Sequence, residues 1–510
     1  MNSPKFRFLV IFLLVAVFNY FFWEEKPGIN LLLFNSLLIL SLVYFSNKRF
    51  DTLALKISLS LTIVTGIMLI VYNSFISFFA HFVSFIILVG LLHRTQLSTV
   101  SGALWQYGLN ALMTTFEQFI LLGESISYFT DKNKYLKQTH RIATILIIPI
   151  VVFSIFVVIF KFANPIFGEI LDSSFASFFW AIEAFFQNFS FPHLFFLAIG
   201  TFFIISVLYN WDRTNVLHRL SSKADTIRTP EKIDVIKLET EYKTALILIC
   251  SVNVLLLIIN AIDVRYLWFN INNDLKSAHE LSKLVHEGTY LLILSILLSI
   301  AILLYYFRKD LNFFDGKRWL VISAYVWIIQ NGILVISVLL RNYEYITNYG
   351  LTHKRIGVAV FLLLTSIGLV MIWLKIKNLY SFFNLFRQAG WAGYFVLASL
   401  AIFDWDSMIA RYNLSTQNAT NLDYRYLYEL SPRTLPILYE NKEKIVERIK
   451  QVYSDENDRM GQINILNKRI GRYLAEQRSY TWVSWDLSNS KAVEYFNNKK
   501  LEEPTATMQP

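Results

Sequence analysis

Apolar runs of about 17–22 residues recur along most of this chain, each long enough to cross the hydrocarbon core of a bilayer as a helix. Between them the charge is thin. Only 16% of the 510 residues are charged and 55% are hydrophobic, where a soluble chain carries about 25% charged residues. The pattern reads as an all-α fold: a polytopic transmembrane helical bundle of about eleven spans. The spans fall near residues 6–23, 29–45, 53–72, 75–92, 142–160, 192–210, 244–261, 289–307, 319–340, 356–374 and 389–403. The first of these follows Lys5 and Arg7 in the manner of a signal peptide. No small-residue cleavage site follows it, so it reads as a retained helix.

Basic residues orient the bundle. Lys5 and Arg7 precede the first span, and Lys48 and Arg49 follow the second. Arg94, Lys132, Lys134, Lys137 and Arg141 lie between spans four and five. Arg213, Arg219, Lys223, Arg228, Lys232 and Lys237 lie between six and seven. Arg308, Lys309, Lys317 and Arg318 follow span eight, and Lys375, Lys377 and Arg387 follow span ten. These are alternate loops, so they share one face, the cytoplasmic one by the positive-inside rule. An odd number of spans puts the N-terminus inside and the C-terminus outside. The net charge of +10 then reflects loop bias and contact with anionic membrane lipid, with no nucleic-acid partner implied. The lone Cys250 forms no intrachain disulfide, and no Cys/His set has zinc spacing.

The chain divides into a four-span hydrophobic region over 1–95, a membrane core with spans five to eleven over 96–404, and a small, mostly helical, soluble extracytoplasmic C-terminal domain over 405–510. Two segments of the core are apolar on one face only. Trp105, Leu109, Leu112, Met113, Phe116, Phe119 and Ile120 keep helical spacing within 104–129, and Phe178, Ile182, Phe185, Phe186 and Phe189 do so within 174–189. Such helices lie in the membrane interface or pack under a bundle. In the tail, Ser431-Pro432 reads as a helix cap and first turn. Helices are expected over 435–453, 464–477 and 492–499, with the aromatic stretch 480–485 lying as a lid on the membrane surface.

Three polar clusters bound these spans on the outer side. The first, 341–355, is a polar hairpin between two apolar runs and holds Tyr349, Gly350, Thr352, His353 and Arg355. Gly350 suits a positive φ, and Thr352 suits a cap of the tenth span. Positive charge at that helix N-terminus opposes both the dipole and the positive-inside bias. An anionic partner is therefore expected for it: Asp404, Asp406 or Glu287 within the protein, or a phosphate or carboxylate ligand. The second cluster is His286-Glu287 at the start of span eight, where the pair would serve capping and interhelical hydrogen bonds, or bind a metal or proton. The third is Asp404, Asp406, Arg411 and Asn413 after the last span. Two carboxylates two residues apart suit a divalent cation on extended backbone but diverge on a helix. Salt bridges to Arg341 or Arg355 are the plainer alternative. Glu287, Arg355 and one of the two aspartates are expected to converge, since an unpaired charge near the interface is costly.

The ordered motifs resemble a known family. They are Ala163-Asn164-Pro165-Ile166-Phe167, Val285-His286-Glu287-Gly288 and Tyr349-Gly350-Leu351-Thr352-His353-Lys354-Arg355. Then come Asp406 with Ile409-Ala410-Arg411-Tyr412-Asn413-Leu414, Leu422-Asp423-Tyr424-Arg425-Tyr426-Leu427, and Trp482 with Trp485-Asp486-Leu487-Ser488, where the resemblance implies Asn at 486. Together they resemble uncharacterised bacterial polytopic membrane proteins grouped as a domain of unknown function, of the four-one-seven-three type with its four-one-five-three relatives. The likeness runs over about residues 160–490 and implies a bacterial cytoplasmic membrane location. It supplies no reaction, catalytic residue, metal or cofactor.

Span interiors are nearly free of ionisable groups, His81 being the main exception and best read as a hydrogen-bonded core residue. Coupled transporters place such groups at mid-depth, so transport is disfavoured. No Walker, nucleophile-elbow or kinase signature occurs. Glu24 and Glu25 in the first outer loop bear only a faint likeness to the first-loop acids of lipid-linked sugar transferases. The preferred reading is a membrane protein that recognises a protein partner or envelope component through the outer cluster and C-terminal domain. The alternative is an enzyme acting on a lipid-linked substrate at that face.

Overall fold

The computed structural model describes residues 4–46, 50–114, 191–209, 225–227, 235–269, 278–308, 310–415, 424–452 and 456–499, with a few single positions between them. Among the described residues the regular structure is helical. The one β contact is an isolated antiparallel bridge between Thr226 and Tyr380. The expected span 142–160 and the amphipathic segment 174–189 lie outside the described residues.

The chain folds into two compact units interleaved in sequence: residues 1–55, 86–95 and 103–215, and residues 56–85, 96–102 and 216–510. In the first unit, α1 (Pro4–Phe22) packs against α2 (Ile29–Ser46). The α3 helix (Leu53–Tyr72) and the α4 helix (Phe75–His93) run from one set of residues to the other. The α5 helix (Phe191–Leu208) completes the first unit and packs on α1 and α2. Rings set that packing: Phe18 stacks on Phe196 at 4.7 Å between centroids, and Trp23 on His193 at 3.9 Å.

The second unit is built around α6 (Val235–Asp263), α7 (Ala278–Tyr306), α8 (Arg318–Tyr349) and α9 (His353–Asn378). Their shared core holds the fully buried Trp327 together with Ile249, Ile296, Leu334 and Leu362. The chain then continues as α10 (Phe382–Leu400), bends by 61° and enters α11 (Trp405–Ser415). Five short to medium helices follow: α12 (Tyr424–Glu429), α13 (Leu435–Glu440), α14 (Lys442–Val452), α15 (Glu456–Ser479) and α16 (Leu487–Asn498).

Seven described helices, α2, α3, α4, α5, α6, α8 and α9, are long and apolar enough to cross a bilayer, or eight spans if α10 and α11 count as one. The protein is a polytopic helical membrane protein, with ten of the eleven expected spans falling on described helices. Two of those ten are short apolar helices, 6–22 and 291–306.

Several local expectations need correction. The polar stretch 341–355 is not a hairpin throughout: α8 runs on to Tyr349, and the turn is only Gly350–Thr352. At 1.5 Å per residue, nine further helical residues carry α8 roughly 13 Å past its apolar run. His286 and Glu287 sit in the third turn of a helix that begins at Ala278, so the N-terminal dipole no longer favours Glu287. Their side chains lie outside the described residues. The described part of the segment 104–129 is helical over 100–114, but its amphipathic sense is inverted. Gln106, Asn110 and Thr114 are buried while Trp105 and Leu112 face outward, as suits a lipid-facing helix. Of the expected helix 435–453, residues 435–452 form two helices parted at Asn441, and Ser431 makes no capping hydrogen bond.

Polar groups inside the bundle are amides more than ions. Between α6 and α8, Asn253 Nδ2 donates to the Ser323 carbonyl at 2.9 Å and Gln330 Nε2 to Asn253 Oδ1 at 2.9 Å. Asn260 Nδ2 donates to the Gln330 carbonyl at 3.0 Å. Beyond them Asp263 pairs with Arg341. Such bonds hold helices together where lipid gives no hydrophobic drive. His81 is buried against the Thr62 carbonyl at 3.2 Å and the Thr65 hydroxyl at 3.4 Å, the core role expected of it.

Gly90 marks a close backbone approach in the first unit. A Cβ there would lie 2.1 Å from the Ala103 carbonyl oxygen, and backbone cannot swing aside. Gly90→Ala should cost about 1–3 kcal/mol through overpacking. Gly368→Ala, with open space around the new methyl, should be neutral. Thermal unfolding of the two variants in detergent checks the contrast.

Candidate functional site

The α8–α9 turn begins the site. Gly350 has φ 81°, a left-handed conformation that L side chains rarely adopt. Thr352 is extended and caps α9, its side chain accepting from the Arg355 N–H. Both features agree with the sequence reading. Arg355 reaches no carboxylate among the described residues. It donates to the carbonyls of Tyr349, at 2.9 Å, and Gly350, and lies over the Tyr345 ring at 4.3 Å. The turn sets the C-terminus of α8 beside the N-terminus of α9. The negative end of one dipole thus takes the cation that the positive end of the other disfavours. Arg341 is also removed from the aspartates by its pairing with Asp263.

The aspartates are drawn together by other groups. Asp404 begins α11, its Oδ1 accepting from the Ser407 N–H at 3.3 Å. Asp406, in the first turn, is buried. Arg433 stands against both. Its Nε lies 2.9 Å from Asp404 Oδ1, an ion-pair contact without an aligned hydrogen bond, and its Nη2 bonds Asp406 Oδ2. Its Nη1 donates to the Tyr72 carbonyl at the end of α3. His353 Nε2 donates to Asp406 Oδ1 at 2.9 Å. The His353 backbone N–H donates to Tyr426 Oη at 2.9 Å, and that hydroxyl meets His353 Nδ1 at 2.8 Å. Tyr426 Oη thus faces both the backbone N–H and Nδ1 of His353 and carries its own proton, while Nε2 faces Asp406. Burial, the main effect on Tyr426, pushes its phenol pKa up and keeps that proton in place.

Burial also opposes charge on Asp406. The His353 hydrogen bond and the Arg433 charge outweigh it and bring the carboxyl down to about 2. Asn413 completes the arrangement by closing a reciprocal pair with Leu351. It accepts from the Leu351 N–H at 2.6 Å and donates to the Leu351 carbonyl at 2.9 Å. Arg411 stands exposed on α11. Among the described residues no three His, Cys, Asp or Glu side chains converge as a metal site.

A second tie lies beside the first. Asp486 caps α16, accepting from the Asn489 N–H at 2.8 Å, and also accepts from Asn73 Nδ2 at 2.9 Å. Asn73 follows Tyr72 in the α3–α4 turn. Next to this tie an open cleft of about 360 Å³ is lined by Arg478, Tyr480, Trp482, Trp485, Asn489 and Asn497 among others. Of the candidate residues, the structure joins His353, Asp404 and Asp406 directly. It sets Tyr349, Thr352 and Arg355 in or beside the adjoining turn, ties Asn413 of α11 to Leu351 of that turn, and leaves Arg411 apart. Arg433 and Tyr72 join the site although nothing local in the sequence marks them. Tyr426 and Asp486 occur among the motif residues, but no spacing ties them to the cluster.

A helical membrane bundle with a polar helical region tied to one end is the class that fold and site define. Within that class the family model described as "Domain of unknown function (DUF4153)" matches residues 59–441, and the chain belongs to this family. The match starts inside α3, well before the motif-based limit near 160, and ends at 441, short of the Trp482–Ser488 motif. It takes in Tyr72, His353, Asp404, Asp406, Tyr426 and Arg433. No curated protein and no solved structure matches the chain.

Arg433→Ala would leave Asp404 and Asp406 side by side without their cation. Breaking a buried pair costs about 3–5 kcal/mol, so the residues after Ser415 should become protease-sensitive while the membrane helices stay protected. For pH, the sign follows from the lowered carboxyl. The stabilisation from Asp406 is full above the ordinary aspartate value near 4 and is lost as pH falls through about 2. Protease resistance of the tail should hold from pH 7 to 5 and drop below 4, and Asp406→Asn should abolish most of that dependence.

Proposed function

We propose that this is a recognition protein of the cell envelope. Its outer polar cluster is a clasp, and its C-terminal domain, 405–510, presents the binding surface. The observation that carries this reading is that both oxygens of Asp406 are already taken, by His353 and by Arg433. A carboxylate so occupied is not free to bind a ligand or serve as a base. Three turns meet there, α3–α4, α8–α9 and α10–α11, together with the tail. Alternating spans put those three turns on one side, and the positive-inside count makes it the outer side of a bacterial cytoplasmic membrane. The cleft beside Asp486 has the aromatic and amide lining used at adaptable binding surfaces. It fits a protein partner or an envelope component.

The hydrogen-bonded chain Tyr426–His353–Asp406 favours a second reading, an enzyme acting on a lipid-linked substrate. His353 is half exposed, and an imidazole held between a phenol and a carboxylate is an arrangement used in proton transfer. The two readings part at Tyr426→Phe. A clasp held mainly by Arg433 tolerates that change, whereas a proton relay does not.

A reporter fused after Pro510 should read as external, and one inserted near Lys223 as cytoplasmic. A photo-crosslinker at Asn497, on the rim of the cleft, should give one discrete envelope adduct in intact cells. Arg433→Ala should abolish it while the protein stays in the membrane. Adducts indifferent to Arg433→Ala would contradict the clasp reading.

A further inference from the structure

At one end of the first unit, four helix ends surround a cavity of about 280 Å³. The first turns of α1 contribute Arg7, the end of α2 contributes Phe45 and Ser46, the end of α4 contributes Leu92 and His93, and Tyr209 follows α5. Among the described residues the lining contains cationic, hydroxyl and apolar groups and no carboxylate. Arg7 is held against the Phe45 ring, its guanidinium carbon 5.6 Å from the centroid. Its Nε is buried and makes no hydrogen bond among the described residues, and no ion pair of Arg7 occurs among them. Arg7 is partly buried, and a partly buried guanidinium without a counter-charge favours an anion beside it. His93, with 3% of its surface exposed, adds a second nitrogen-bearing ring.

The position narrows the anion. These are the ends of apolar helices, so the cavity lies at headgroup depth, with apolar helix sides leading away from it. In sequence Lys48 and Arg49 follow α2 and Arg94 follows α4, the basic bias of a cytoplasmic face. Basic pockets between transmembrane helices on the cytoplasmic side hold anionic headgroups. We propose that this cavity binds the phosphate of an anionic phospholipid, with Arg7 as the charge partner, Ser46 and Tyr209 as hydroxyl donors, and the acyl chains lying along α2 and α4.

The full-length protein, stripped of lipid in mild detergent, can be titrated with short-chain phosphatidylglycerol, phosphatidylcholine or inorganic phosphate and followed by native mass spectrometry. One phosphatidylglycerol should bind at least tenfold more tightly than phosphatidylcholine. Arg7→Ala should weaken it at least tenfold, Arg7→Gln similarly, and Lys377→Ala not at all. Arg7→Gln keeps the side-chain length and serves where the alanine variant fails to fold. Equal binding of the two lipids, or phosphatidylglycerol binding indifferent to both Arg7 variants, would overturn the proposal. Displacement by millimolar inorganic phosphate as tight as the lipid itself would assign the site to free phosphate and overturn the lipid.

Discussion

Arg433 is a buried cation that must be neutralised, and one end of the second unit is arranged around that need. It meets Asp404 and Asp406 at the start of α11 and the last carbonyl of α3. The partners come from two stretches of chain far apart in sequence, the start of α11 and the end of α3. Removing any one leaves the others charged or unpaired in a site with little water, where the cost is several kcal/mol. This mutual dependence fixes the tail. Asp486, bonded to Asn73, adds a second tie one residue along the same turn. Two contacts on adjacent residues of the α3–α4 turn restrict rotation as well as separation.

The other cations at this end are satisfied by cheaper means. Arg355 uses the carbonyls that end α8 and the face of Tyr345, and Arg341 uses Asp263. The carbonyl solution is local, available to any cation that follows a tight helix–helix turn. It releases the aspartates for the long-range pairing with Arg433. Asp406 then keeps its charge through two partners at once, one of them the imidazole that Tyr426 holds in place.

The spans were legible because length and apolarity are what a bilayer demands of a helix, and α2, α3, α4, α5, α6, α8 and α9 meet that demand. Gly350 and Thr352 were legible because turns and caps are local. His353, Asp404 and Asp406 were legible as candidates because each lies at the end of an apolar run. Their partner did not follow, because it rests on how α3, α11 and the tail are folded together. Arg433 lies 27 residues beyond Asp406, next to Ser431-Pro432, whose own signal pointed to a helix start. The expected bridge from Arg355 failed for a similar reason: the sequence shows a cation at a helix N-terminus but not the neighbouring C-terminus that absorbs it. The amides Asn253, Asn260 and Gln330 were not legible, because a neutral hydrogen-bonding residue at mid-depth carries no charge to mark it.

The central claim is that the C-terminal helices are fixed to the α3–α4 turn. The most direct measurement places Asn73→Cys and Asp486→Cys together in a Cys250→Ser background and treats membranes with a thiol crosslinker short enough to span one side-chain contact. Rapid, near-complete intramolecular crosslinking is expected, and Arg433→Ala should slow it markedly. Absence of the crosslink while both cysteines react freely with a monofunctional reagent would contradict the claim.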